Sequence, residues 1–292
     1  MAKVERGPDF ICFGMQRAGT RWLYDQLSSH PGAWMPPVKE IGHFNNKSFK
    51  PANRPGTPKY EPHGHEQLMA NEREEFFRAY TPERRAADPD RWYLDLFDQK
   101  NGRLAGDISP EYAALLDISI RWVARVCPDA RYLILIRDPV ERIWAALNLH
   151  LRAKQYTSAQ LKNWPDLRAI LAGPLHQRRS YPSRIWQRWH ALLPEDRARF
   201  FFYDDVRDRP AAARRAIFEY LDLDPQMTGL PPDFDRKASQ AKMPMPPEIR
   251  RKLTRHFMRE YERCAATFGG HAVEWLAAAR ERLARPAAGK TR

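Results

Sequence analysis

The sequence predicts an α/β protein, with a mostly parallel sheet flanked by helices in a single domain over residues 1–285 and a disordered tail over 286–292. Three observations lead there. Short apolar runs of strand length alternate along the chain with longer stretches of helical periodicity, the pattern of a parallel sheet covered on both faces. The composition, 43% apolar and 12% aromatic, is enough to bury a core. No internal repeat and no clean linker divides the 292 residues.

The elements follow in order. Phe10-Ile11-Cys12-Phe13 is a buried-strand run, followed by the small-residue turn Gly14–Thr20 and a helix through Trp22, Leu23 and Leu27 that stops before His30-Pro31-Gly32. Six Pro and Gly residues between 46 and 66 mark a surface loop. Helical spacing is expected over Glu66–Tyr80, Pro82–Asp98 and Glu111–Val126, with a short strand at Arg103–Ile108. Arg131–Ile136 is the clearest strand, breaking at Arg137-Asp138-Pro139 into a helix through Trp144 and Leu147. Asp138 and Pro139 are suited to cap and start that helix, and Arg142 to pair along it. A strand at Phe200–Tyr203 precedes a helix over Ala211–Leu221. A long Pro-rich loop spans Asp224–Pro247, and helices over Pro247–Phe268 and Ala272–Leu283 close the fold.

Charge narrows the partners. Lys and Arg number 49 against 36 acids, a net +13 with a pI near 9.8, which favours anionic ligands. The basic residues are spread along the chain and interleaved with acids rather than gathered in a stripe, so no nucleic-acid partner is expected. Cys12, Cys127 and Cys264 form neither a CxxC pair nor an even set, arguing against a disulfide framework or a zinc knuckle and for a reducing compartment. No apolar run reaches the roughly 20 residues of a membrane span. A cytoplasmic location follows as the expectation. His63-Gly64-His65 lacks further spaced ligands, so no metal site is expected there. Nothing in the sequence sets an oligomeric state. The tryptophans, Trp34, Trp92 and Trp144 among them, suit core packing first and sugar or apolar-acceptor stacking second.

The turn Gly14-Met15-Gln16-Arg17-Ala18-Gly19-Thr20-Arg21 is P-loop-like: its glycines have the spacing of the nucleotide-binding motif, but Thr20-Arg21 stands where that motif has Lys-[Ser/Thr]. Arginines on both sides of Gly19-Thr20 can hold a phosphate through guanidinium forks and backbone N–H groups without a metal. Two further segments lie downstream, Lys39-Glu40-Ile41-Gly42-His43-Phe44 and Arg137-Asp138-Pro139-Val140-Glu141-Arg142. With these three motifs in this order the chain resembles the sulfotransferases that use 3′-phosphoadenosine 5′-phosphosulfate (PAPS), most of all the carbohydrate (heparan sulfate type) branch and its soluble bacterial relatives. Weaker matches at Gly106–Tyr112, from Tyr181 through Trp189 to Val206, and around Pro247 extend the likeness over nearly the whole chain.

The resemblance implies a sulfuryl transfer from PAPS, as co-substrate and without a metal, to a hydroxyl or amine of a carbohydrate or other small-molecule acceptor. It implies a 5′-phosphosulfate site at Arg17, Ala18, Gly19, Thr20, Arg21 and Trp22. Arg17 stands where the heparan branch usually has lysine; an arginine stays protonated, so charge stabilisation rather than proton donation is expected of it. Arg137 stands where the family binds the 3′-phosphate, at the end of a strand, where open sheets place ligands. Lys237, Ser239 and Lys242 occupy the segment that closes over the donor. Glu40 stands where relatives place the base that takes the acceptor's proton, and His43 could share or replace that role. Two positions depart from the family: Ala145 replaces a serine that donates to the 3′-phosphate, and Ile108 replaces a substrate-side lysine of some heparan enzymes. The competing readings are an ATP-dependent P-loop kinase, against which the missing Lys-[Ser/Thr] speaks, and a non-catalytic basic module for anions or nucleic acid.

Overall fold

The structure, a computed structural model, describes residues 6–45, 70–227, 229–234 and 242–285. In chain order its elements are β1 (Phe10–Gly14), α1 (Thr20–Ser28), β2 (Ala33–Trp34), α2 (Ala70–Ala79), α3 (Pro82–Ala87), α4 (Pro89–Asp95), β3 (Leu104–Ile108), α5 (Asp117–Val126), β4 (Arg131–Ile136) and α6 (Pro139–Arg152). There follow α7 (Ser158–Lys162), α8 (Trp164–Ala172), α9 (Pro174–Arg179), α10 (Pro182–His190), β5 (Ala198–Phe202), α11 (Tyr203–Asp208), α12 (Pro210–Tyr220), α13 (Pro247–His256), α14 (Met258–Phe268) and α15 (His271–Ala284). Single 3₁₀ turns at His43–Asn45 and Pro110–Ala114 complete the part near the cleft.

The strands form one parallel sheet in the order β2-β3-β1-β4-β5. Every residue of β1 and β3 is buried, as is all of β4 after Arg131, because helices cover both faces. Gly106 shows why the sheet closes so tightly: a Cβ there would lie 2.1 Å from the Phe10 ring on the neighbouring strand. β1 has β3 on one side and β4 on the other; the chain leaves the carboxyl end of β1 toward β2 and that of β4 toward β5, in opposite directions. That is the switch point at which open sheets gather ligands. Gly14, Ser109 and Arg137 end or follow these three strands.

The strand expectations hold to within a residue or two, and β4 matches end to end. The helices differ where local chemistry interrupts the period. The expected Pro82–Asp98 helix divides at Pro89, which has no N–H to continue it; the Asp88 carboxylate accepts from Arg91 N at 3.0 Å and starts α4 afresh. The expected Glu111–Val126 helix is a 3₁₀ turn and then α5, separated by Leu115 and Leu116 in extended conformation. The expected Pro247–Phe268 helix divides at Phe257. Tyr203 opens α11 instead of ending β5. The short edge strand β2 and the run α7 to α10 have no counterpart in the sequence pattern. The loop at 46–66, including His63 and His65, and the tail 286–292 lie outside the described residues. Among the described residues no helix is long and apolar enough to cross a membrane. Trp34 and Trp92 are core residues, 2% and 3% exposed, as expected.

Candidate functional site

A cleft of about 660 Å³ opens over the carboxyl ends of β1, β3 and β4. Its floor is the Gly14–Gly19 turn. Arg17 and Gly19 adopt left-handed backbone, with φ of 68° and 94°. At Gly19 a Cβ would lie 3.0 Å from the Tyr203 ring, so the turn excludes a side chain there. Gly19 is also the N-cap of α1, and no side chain caps the helix. The N–H groups of its first turn, with Thr20 at their head, are therefore available to an anion in the cleft. Trp22 lines the same wall and ties the 231–234 segment to it, donating from Nε1 to Pro232 O at 2.7 Å.

Arginines converge on this floor from separate elements. Arg137, just past β4, donates from Nη1 to Arg17 O at 2.9 Å, and its guanidinium lies 4.4 Å over the Tyr203 ring. Asp138 caps α6 as expected, accepting from Val140 N and Glu141 N at 2.8 and 2.9 Å. Arg142 does not pair along α6. It points inward, 1% exposed, and donates from Nη2 to Ser180 Oγ at 2.7 Å. Burial, with the charges of Arg179, Arg137 and Arg17 nearby, pushes its pKa down to about 9. Arg179, the last residue of α9, donates from Nη1 to Gln16 Oε1 at 2.9 Å and lies 3.6 Å from Glu111 Oε1. The Nε atoms of Arg137, Arg142 and Arg179 are buried with no hydrogen-bond partner among the described residues. A fold rarely leaves so many donors unspent in one place unless an acceptor arrives from outside.

The opposite bank carries the acids. Glu40 sits at φ 68°, the second non-glycine left-handed residue facing the cleft, beside the nearly buried Lys39 ammonium at 2.8 Å. Such backbone is costly and persists where the surroundings hold it. Here the holding structure is visible. Buried Asp107 accepts from Ser109 Oγ, Tyr112 OH and Tyr93 OH at 2.7, 2.9 and 3.0 Å, and Gly42 N donates to the same Ser109 oxygen at 3.3 Å. The end of β3 thus pins the 39–42 loop. Glu111 accepts from Gln16 Nε2 at 3.1 Å and Asn45 Nδ2 at 3.2 Å.

His43 is not among the side chains that line the cleft. It is 1% exposed, stacked on Tyr93 with ring centroids 4.7 Å apart and packed against Phe44 and Trp122. Its Nε2 is 3.1 Å from Asp90 Oδ1, which also receives Trp122 Nε1. Burial outweighs that carboxylate and holds the ring's pKa down at about 4. Three residues on from Glu40, the chain has turned away from the cleft into an aromatic block.

Of the residues expected from sequence, the cleft gathers Arg17, Gly19, Thr20, Arg21, Trp22, Glu40, Arg137 and Lys242. Ala18 is buried under the loop, its N–H given to Met15 O. Lys237 and Ser239 lie outside the described residues. Ala145 lines the cleft, so the position of the family's serine is where a ligand would meet it. Arg179, Arg152, Gln16 and Tyr203 border the cleft without having been singled out. Arg179 carried one available signal, its place two residues before Tyr181, where a matched run begins.

A model of the sulfotransferase family matches residues 8–227. The structure is similar to the crystal structure of a sulfotransferase from Alicyclobacillus acidocaldarius, at 21% identity and a TM-score of 0.59, over 92% of this chain and 98% of that one. It is also similar to the sulfotransferase domain from the curacin biosynthetic pathway, at 15% identity and a TM-score of 0.50, over 82% and 81% of the two chains. The sulfotransferase domain from the Synechococcus PCC 7002 olefin synthase matches at 20% identity and a TM-score of 0.45, over 84% of each chain. At these identities the likeness concerns the fold. No curated protein matches the chain.

Proposed function

The chain belongs to the sulfotransferase family, and from that premise we propose that it moves a sulfuryl group from PAPS to a hydroxyl or amine of an acceptor, releasing adenosine 3′,5′-bisphosphate. One observation carries the reading. Arg17 and Arg137, 120 positions apart, share one cleft and are joined by the 2.9 Å bond from Arg137 Nη1 to Arg17 O. A nucleotide with phosphates at two ribose positions needs two cationic anchors on a single wall.

The residues fit the donor by their chemistry. The uncapped start of α1, Arg17 and Arg21 would hold the 5′-phosphosulfate, with Gly19 giving the backbone close approach. Arg137 would hold the 3′-phosphate, with Lys242 on the covering segment. Stacked on Tyr203, Arg137 is oriented before any ligand arrives. The bound donor supplies an activated sulfur–oxygen–phosphorus linkage: as the acceptor oxygen bonds to sulfur, the bond from sulfur to the bridging oxygen breaks and its electron pair stays on the 5′-phosphate. Arg17 neutralises the charge that grows there. Glu40 Oε takes the acceptor's proton, with the Lys39 ammonium 2.8 Å from its Oε1. We assign the base to Glu40 over His43, which faces the aromatic block.

The three cysteines are free and buried, which suits a reducing interior and the cytoplasmic location we propose. We propose a carbohydrate or other small molecule as acceptor.

Calorimetric titration tests the donor. Adenosine 3′,5′-bisphosphate should bind at least tenfold more tightly than ADP, without magnesium; preference for ADP with magnesium would return the kinase reading.

A further inference from the structure

Arg179 is a cation of the cleft that belongs to none of the three sequence motifs. It comes from α9, and its side chain is 20% exposed. Among the described residues it makes one hydrogen bond, to Gln16 Oε1, the residue before Arg17. Glu111 Oε1 is 3.6 Å away, beyond a good hydrogen bond. The charges of Glu111 and Glu40 both act on it. Arg179 therefore touches the floor loop and lines the same cleft as the proposed base.

That position is chemically particular. In-line transfer sets the acceptor oxygen, the sulfur and the bridging oxygen in a row. The base must stand beyond the sulfur, on the side away from the phosphate that the loop holds. A cation tied to the loop at Gln16, beside Glu111 and in the same cleft as Glu40, is thus placed for the sulfuryl group in transit rather than for either phosphate. Resting on the donor reading above, we propose that Arg179 is a further catalytic residue, which binds the non-bridging sulfuryl oxygens and so lets the protein distinguish the loaded donor from the spent bisphosphate.

The surroundings are built to keep Arg179 there. Ser180, next in the chain and 1% exposed, receives Arg142 Nη2 at 2.7 Å, which fastens the end of α9 to α6. Gln16 is itself held, donating from Nε2 to Glu111 Oε1 at 3.1 Å while accepting from Arg179. Burial lowers the guanidinium's pKa, and the two glutamates counter it. A guanidinium has five N–H donors in a fixed fork, and most of this one's are unspent. A sulfuryl group presents the matching set of oxygens, and charge-assisted hydrogen bonds to it are the strong kind. No electron or proton is transferred by Arg179; its work is to hold the oxygens while the sulfur–oxygen bonds exchange.

The test compares two ligands that differ by one sulfuryl group, and it needs no acceptor. Affinities for PAPS and for adenosine 3′,5′-bisphosphate are measured by competition, in the cold, on the wild-type chain and on Arg179→Met. The variant should bind PAPS roughly ten- to 150-fold more weakly, the value of one lost charged hydrogen bond, with bisphosphate affinity unchanged. Arg179→Lys keeps the charge without the fork and should lose several-fold on PAPS alone. It carries the same test if the methionine variant unfolds. Equal losses on both ligands, or no loss on either, would overturn the assignment. Absence of bisphosphate binding in the wild-type chain would instead sink the donor reading itself, so the two failures are distinct.

Discussion

Asp107 and Arg142 are both buried to 1% exposure, and the fold treats them in opposite ways. Around Asp107, three hydroxyls donate to the carboxylate from Tyr93, Ser109 and Tyr112. Arg142 has the single hydroxyl of Ser180 and three neighbouring guanidiniums, and forms no ion pair among the described residues. A buried charge answered by its own chain is architecture; it fixes the end of β3 and the Lys39–Gly42 loop. A buried charge left beside others of its sign costs stability that only an anion from outside can return. The contrast separates the part of the polar interior that shapes the cleft from the part that we propose receives a ligand.

Breaking the ligand side gives the largest effects. Glu40→Gln should lower turnover by roughly 10²–10⁴-fold while bisphosphate binding persists, the range for losing a general base. A wild-type rate in that variant would move proton transfer elsewhere. Arg137→Ala should weaken bisphosphate binding by about ten- to 150-fold, with calorimetry as the measure. Part of that loss will come from the loop, since Arg137 also holds Arg17 O. An unchanged affinity would detach Arg137 from the ligand.

The smallest effect sharpens the architectural side. His43 and His176 are both held at a pKa of about 4, below the ordinary 6.5, chiefly by burial. Neutral when folded and free to protonate when unfolded, they bind more protons in the unfolded chain between these values. Their contribution is thus complete above about pH 6.5 and is lost as pH falls toward 4. The unfolding midpoint should drop across that window, and His43→Gln should flatten the drop without changing turnover at pH 7.5. A lost rate there would return His43 to the reaction.

The proposed donor wall was legible as a local pattern. Gly19, Thr20 and Arg21 sit at the start of one helix and Arg137 follows an unbroken apolar strand, so the local pattern marked an anion-binding turn and a strand end, and the resemblance supplied their proposed roles. Lys39 and Glu40 were legible as a motif. His43 was not resolvable by the same reading, because the three residues from Glu40 to His43 include Gly42 at φ 69° and a change of direction that no periodicity records. The helices from α7 to α10 escaped notice for another reason: each has nine residues or fewer and restarts at a cap or a proline, which is too short for a period to show. Arg179 went with them.

What the sequence determined by itself is what neighbouring residues settle among themselves: alternating strands and helices, a strand-loop-helix turn of the kind suited to anions, the arginine past β4, the excess of positive charge. Tertiary structure alone decided which charges are answered. Gln16, Glu111 and Arg179 meet across 95 and 163 positions, and Arg142 reaches Ser180 through the interior. The physical reason is range. Helix caps and strand runs depend on groups a few residues apart, whereas the energy of a buried charge depends on everything within several ångströms, which only the closed sheet and its packed helices bring together.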